Sequence, residues 1–170
     1  MAQGASASIS VGSGAVAVER VFPAPAGLLW RAWTEPEQVM RWYGPAGMEG
    51  HACEIDLRVG GRYLWGLRSP EGFEYYNAGV FRELVPGERL VATMCMADAA
   101  GNTVPASHYG MPEDAPGETV LSVSLDELGG GSTRLTVRQE GWGDDAMAEG
   151  AGGGWSQALE KLAAALASAA

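Results

Sequence analysis

Cysteine is scarce: Cys53 and Cys95 are the only two, and no CxxC spacing joins them. That excludes a disulfide framework and a cysteine-built zinc site. Histidine is equally sparse, with His51 and His108 alone, so a three-histidine metal centre is out of reach on count. No run approaches the ~18 apolar residues needed to cross a bilayer. The opening MAQGASASIS has neither the basic nor the apolar region of a secretory signal. Basic residues number 11 against 21 acidic ones, a formal charge of −10. Neither a phosphate backbone nor an anionic membrane surface is matched by such a balance. HExxH and GxSxG are missing, and the glycine runs are not strand-to-helix phosphate loops. These absences point to a reducing, cytoplasmic setting in which both thiols are buried as small hydrophobes, with a bridge between them the minor alternative. Metal, cofactor, nucleic acid and membrane insertion are all disfavoured.

What is present suits one globular domain. The 170 residues are 46% apolar, close to the soluble average. Six Trp, five Tyr and seven Met make the large residues unusually aromatic and soft-sided. Residues 1–14 are small and polar and read as a flexible tail; residues 15–168 read as the domain.

A first strand follows from Val16, Val18 and Phe22. Pro25 opens a helix carrying Leu28, Leu29, Ala32 and Trp33. Thr34-Glu35-Pro36-Glu37 has the form of a capping box for a second short helix with Val39 and Trp42 on one side. Strands then dominate: His51–Val59, a Gly60-Gly61 turn, Arg62–Arg68, Phe73–Val85 with a bulge or bend at Gly79, and Arg89–Met96. The last hairpin, Thr119–Leu128 and Ser132–Glu140, alternates cleanly. Leu121, Val123, Leu125, Leu135 and Val137 share its dry face; Ser122, Ser124, Arg134, Thr136 and Arg138 share its wet one. Trp155, Leu159, Leu162 and Leu166 recur at helical steps near the C-terminus. That helix begins either near Gly154 or, the favoured reading, near Asp144 with a glycine-weakened middle.

These residues carry a resemblance. Phe22-x-Ala24-Pro25, Trp30, Ala32-Trp33-Thr34 and Arg41-Trp42-Tyr43-Gly44-Pro45 come first. Asp56-x-Arg58-Val59-Gly60-Gly61, the run Gly79–Pro86, Arg89-Leu90-Val91 and Gly154-Trp155 with Leu159 follow in order. Over about residues 15–168 the chain resembles bacterial relatives of the C-terminal domain of the activator of the heat-shock protein 90 ATPase. That family lies within the START/birch-pollen-allergen/polyketide-cyclase superfamily. The resemblance implies an α+β helix-grip fold: a curved antiparallel sheet of six or seven strands, two short helices after the first, and a long C-terminal helix over the concave face. It also implies an internal apolar pocket. The superfamily spans lipid carriers, hormone receptors, cyclases and chaperone partners, so fold alone selects no activity.

The residues suggest who would line such a pocket. Tyr63 and Trp65 share one strand face, Tyr76 lies on the next strand, and Met94 and Met96 lie on the one after. Trp42 comes from the second helix, and Trp155 and Leu159 from the last. Aromatic rings with polar tips and pliable thioethers suit a small hydrophobic ligand, lipid-like or aromatic. Residues 98–118 are longer than a hairpin needs and carry His108, Tyr109 and Met111, which fits a partly ordered lid over the cavity mouth, with packing against a second subunit or a loose loop as the alternatives. His108 is also the one weak catalytic candidate, a proton donor with Tyr109 and a carboxylate from Glu54, Asp56 or Glu83. A second subunit and a chaperone are the other candidate partners.

Overall fold

The computed structural model describes residues 6–168. Its first strand is unexpected: β1 (Ser8–Gly12) turns through Ser13 and Gly14, both at positive φ, into β2 (Ala15–Phe22). Two successive positive-φ residues make the tight hairpin connection whose twist matches paired strands. Residues 8–12 are therefore a paired edge strand and not the expected tail; residues 1–5 of that tail lie outside the described residues. The turn is held from the other end of the chain. Gly14 N–H donates to the Asp145 carboxylate at 2.8 Å, and Trp142 N–H donates to the Gly14 carbonyl at 3.0 Å.

After β2 come α1 (Ala26–Thr34) and α2 (Pro36–Trp42), then β3 (Glu49–Ile55), β4 (Arg62–Arg68), β5 (Glu74–Val85) and β6 (Arg89–Ala97). A short 3-10 turn at Ala106–Tyr109 interrupts the next connection, which leads to β7 (Thr119–Gly129), β8 (Ser132–Glu140) and α3 (Asp145–Ser168). All eight strands form one antiparallel sheet in the order β1-β2-β8-β7-β6-β5-β4-β3. This is the expected helix-grip architecture with one strand more than the six or seven foreseen. Since β2 and β3 sit toward opposite ends of that order, α1 and α2 must cross the sheet to connect them.

Several local readings hold. The hairpin β7–β8 buries Leu121, Val123, Leu125, Leu135 and Val137 as the alternation requires. Asp144 caps α3, accepting from Met147 N–H at 2.8 Å, so the helix starts at Asp145 and runs through its glycines. Only one of those glycines leaves needed room: a Cβ on Gly152 would lie 2.7 Å from Val16 Cγ2, whereas Gly150, Gly153 and Gly154 meet nothing within 4 Å.

Others need correction. Glu35, not Thr34, precedes α2, and no side chain caps it; the Thr34 hydroxyl donates back to Trp30 O at 2.7 Å, within its own helix. Pro36 in the first turn makes a cap less necessary, because it has no N–H to satisfy. Leu28 is 42% exposed, on the outer side of α1. The Gly60-Gly61 turn is the end of a longer connection, residues 56–61, with positive φ at Gly60 only. Gly61 is required for a different reason, since a Cβ there would fall 2.0 Å from Asp56 O. Asp56 does pair with Arg58, at 2.8 Å.

Lys161 fastens the grip. Its ammonium donates to three carbonyls, Tyr43 O at 3.2 Å, Gly44 O at 3.3 Å and Met48 O at 2.9 Å, and Gln157 Oε1 accepts from Ala46 N–H at 2.9 Å beside it. Burial pulls the Lys161 pKa down, with Glu49 partly offsetting. Lys161→Met keeps the apolar stem and removes all three donors. A loss of about 2 kcal/mol in urea unfolding is expected; a loss within 0.5 kcal/mol, as for a typical surface change, would show the latch to be dispensable.

Candidate functional site

The space between sheet and helices is filled by aromatic rings. Trp33 on α1 lies 4.5 Å from Trp42, 6.2 Å from Trp65 and 5.7 Å from Trp155, centroid to centroid. Tyr43 lies 4.6 Å from Trp65, and Tyr63 lies 4.7 Å from Trp65 and 5.4 Å from Phe81. Such tilted and offset contacts suit the ring quadrupoles. Of the expected lining residues, Trp42, Tyr63, Trp65, Trp155 and Leu159 are therefore core, packed against one another. The interior expected to hold an apolar pocket is occupied by the chain's own side chains. Three helices cover the sheet, and Trp33 of α1 and Tyr43, the residue that ends α2, fill space that the long C-terminal helix alone would leave open.

Tyr76 is not in this interior. On β5 the helix-facing set is Tyr75, Asn77 and Phe81, and Tyr76 belongs with Leu64, Ala78 and Ala97 on the opposite face. There its hydroxyl donates to Glu74 at 2.9 Å, and His51 and Arg68 both reach the same carboxylate at 3.0 Å. Hydrogen bonds from Arg68 and then Tyr76 hold the Glu74 carboxyl below its usual range.

Open space appears at the mouth of the grip, where Met94 and Met96 of β6 meet Met111, Ala106 and Pro116 of the 98–118 connection, with Trp142 at the side. Its volume is about 40 Å³, enough for a few water molecules and well below the roughly 300 Å³ of ordinary ligand sites. Two carboxamides form part of its wall. Gln139 on β8 is 4% exposed; it accepts from Trp155 Nε1–H at 2.8 Å and donates to Thr119 Oγ1 at 2.8 Å. Asn77 on β5 accepts from the Tyr43 hydroxyl at 2.7 Å. Burial pushes that phenol well above its usual pKa, so it stays protonated and remains a donor. Neither amide was foreseen. Phe81 could have revealed Asn77, because residues 77, 79 and 81 share strand parity.

The connection above the cleft is ordered by two devices. Asp98 accepts from Ala100 N–H and Asn102 N–H at 2.9 Å each and from Asn102 Nδ2 at 3.2 Å. Farther on, Tyr109 donates to the Ala97 carbonyl and lies 5.3 Å from the Tyr75 ring. The Asn102 backbone N–H, more than any other group, depresses the Asp98 pKa. A carboxylate with a lowered folded-state pKa orders its turn above the ordinary Asp range and loses that effect as pH falls through the folded value. Amide resonances of Ala100 and Asn102 should therefore move together below the ordinary Asp pKa, and Asp98→Ala should abolish the movement. Resonances that titrate unchanged in the variant would contradict this.

The one weak candidate for proton transfer, His108 with Tyr109 and a carboxylate, is not assembled. His108 is exposed and 4.8 Å from the Tyr109 ring, while Asp56 and Glu83 are engaged with Arg58 and Arg89. Glu54 borders a separate groove with Arg62. The thiols are free and half-buried rather than fully buried; burial, with Glu37 and Glu54 nearby, pushes Cys53 up to about 12. Among the described residues no group of three or more His, Cys, Asp or Glu side chains could hold a metal ion, and no helix is long and apolar enough to cross a membrane.

An eight-stranded antiparallel sheet gripped by two short helices and one long one, with a soft-walled cleft at its mouth, defines a helix-grip protein. Residues 23–167 match the model of the activator of Hsp90 ATPase homolog 1-like protein family, and the chain belongs to that family. It is similar to a solved structure from Chromobacterium violaceum, with 30% identity and a TM-score of 0.70 over 90% of this chain and 96% of that one. A Nitrosomonas europaea protein is 25% identical, with a TM-score of 0.74 over 93% and 97%. An AHSA1 protein of Silicibacter pomeroyi shares the fold at 23% identity, with a TM-score of 0.73 over 92% and 99%. No curated protein matches the chain. The family is compatible with a ligand-binding or chaperone-related role.

Proposed function

We propose that this protein binds a small, largely apolar molecule without transforming it, at the Met-lined mouth, with residues 98–118 as the lid. The observation that carries the reading is the meeting of Met94, Met96 and Met111 around a gap roofed by that connection. Methionine has three rotatable bonds and a polarizable sulfur, so a wall built of it can re-form around a guest. The gap is small in this conformation, and binding requires the thioethers and the 3-10 turn to move aside. The aromatic core beneath stays packed and serves as a rigid floor, so Trp42, Tyr63, Trp65 and Trp155 support the site from behind.

Flavonoids, fatty acids and aromatic polyketides are suitable probes in a thermal-shift screen. A ligand present at a hundred times its Kd stabilises by about 2.7 kcal/mol, which in a domain of this size is a shift of roughly 5–10 °C. Deleting residues 100–115 should remove most of that shift. Silence across all three probe classes would sink the binding reading. Undiminished affinity after the deletion would sink the lid alone. Capture of the cognate heat-shock ATPase, with a change in its rate, would favour the chaperone-related role instead.

A further inference from the structure

The two carboxamides of the cleft wall are held in the same chemical sense. Trp155 Nε1–H can only donate, so the Gln139 face turned to it at 2.8 Å must be the carbonyl oxygen. Asn77 is oriented from its other side: its nitrogen faces Met96 Sδ at 3.3 Å and Cys95 O at 3.5 Å, both acceptors, while its oxygen takes the Tyr43 hydroxyl. Both NH2 groups are thus fixed as donors on the cleft side, without the freedom to flip.

Each amide has at least one hydrogen on a poor partner. Gln139 Nε2 uses one hydrogen on Thr119 Oγ1, and its other contact is Met94 Sδ at 3.4 Å. Asn77 Nδ2 has Met96 Sδ and a carbonyl at the limit of hydrogen-bond reach. A thioether is a weak acceptor, and a buried donor left on a weak partner forgoes part of the free energy that a good acceptor would return. The same two methionines are the flexible part of the wall. Swinging either sulfur aside opens volume and frees an oriented N–H in one movement.

None of the residues around this gap is charged, and the chain as a whole carries −10. A carboxylate guest would be buried without a counter-charge, which is costly. From this pairing of pre-aimed amide donors with displaceable thioethers, we infer that the ligand is an uncharged, mainly apolar molecule bearing a carbonyl-type acceptor oxygen, which takes the N–H of Asn77 or Gln139 in place of methionine sulfur. This rests on the binding reading above and adds to it the chemical class of the guest.

Fluorene and 9-fluorenone test it, because they share a skeleton and differ by one carbonyl. Affinities for the full-length chain are measured by calorimetry, with the Met94, Met96 and Met111 methyl resonances reporting location. Fluorenone is expected to bind about tenfold more tightly, the discrimination of roughly one hydrogen bond, and to shift all three methyls. Asn77→Asp keeps an acceptor for the Tyr43 hydroxyl and removes the donor, so the preference should fall at least threefold if Asn77 is the donor used. Gln139→Met should do so if Gln139 is used. Met96→Leu removes a sulfur but keeps the amide, and should leave the preference intact. Equal binding of the two compounds at the cleft would overturn the carbonyl inference and leave the binding reading standing. A preference undiminished in both amide variants, each verified as folded by its thermal transition, would overturn it as well. No binding and no methyl shift with either compound would overturn the carbonyl inference, and the binding reading would fall with it only on silence across the three probe classes as well.

Discussion

Gly79→Ala should cost at least about 3 kcal/mol, the upper range for forcing extra volume into a packed interior, and lower Tm by roughly 6–12 °C. The added Cβ would sit 1.8 Å from Thr93 O and 2.7 Å from Thr93 C on the neighbouring strand, with Tyr63 Cε1 at 2.8 Å. Backbone cannot rotate away as a side chain can, so β5 and β6 would have to part. Parting is resisted here, because Tyr63 O–H donates to Thr93 O at 2.5 Å and Val80 N–H donates to Thr93 Oγ1 at 2.9 Å. The bulge expected at Gly79 lies slightly further along, where the register shifts between Phe81 and Glu83; Gly79 itself is where β5 comes close to Thr93. Gly153→Ala is the matching control. Its Cβ meets nothing within 4 Å, so the helix should gain about 0.5–1 kcal/mol. Equal, small effects of the two substitutions in denaturant unfolding would contradict the close approach at Gly79.

Trp33→Ala should remove about 3–5 kcal/mol, a large part of a net stability of roughly 5–15 kcal/mol. Trp33 is 2% exposed and touches rings from α2, β4 and α3, so its loss opens a cavity at the junction of three elements. The milder Trp→Phe series separates packing from hydrogen bonding. Trp33 Nε1–H has no partner in the fold, whereas Trp42 Nε1–H donates to Ala32 O at 2.9 Å and Trp155 Nε1–H to Gln139 Oε1 at 2.8 Å. Trp33→Phe therefore sheds an unsatisfied donor along with volume. Trp42→Phe and Trp155→Phe each strand a buried acceptor, a penalty of about 1–3 kcal/mol. Trp33→Phe should be the least damaging of the three in urea unfolding. The opposite order would mean that the Trp33 indole nitrogen has an acceptor after all.

Legibility varied with the range of the interaction. The β7–β8 hairpin is readable because ten alternating residues repeat one rule, and the start of α3 because Asp144 and Asp145 suit the positive end of the helix dipole; that Asp144 also caps the helix appears only in the fold. Strand β1 was missed because SISVG and its Ser13-Gly14 turn look like any small polar stretch until β2 is known to lie beside them. On β5, two adjacent tyrosines made the parity ambiguous. The sequence points Tyr76 inward, and Asn77, a polar residue, does not stand out as a wall of an apolar site. Gln139 is hidden for a similar reason: beside Arg138 and Glu140 it reads as part of a solvated strand end.

From the residues alone came the class of fold, the two short helices, the last hairpin, the long closing helix and the family. All of these rest on local periodicity, turn chemistry and motif order, which neighbours in sequence suffice to specify. Only the folded chain decided whether the space inside the grip is empty or full, since that depends on how Trp33, Tyr43, Trp65 and Trp155 from four separate elements meet. It also decided which way each amide points, because the partners that orient Gln139 and Asn77 lie 16 and 34 residues away. Volume and hydrogen-bond direction are properties of surfaces in contact, and no one-dimensional pattern encodes which surfaces those will be.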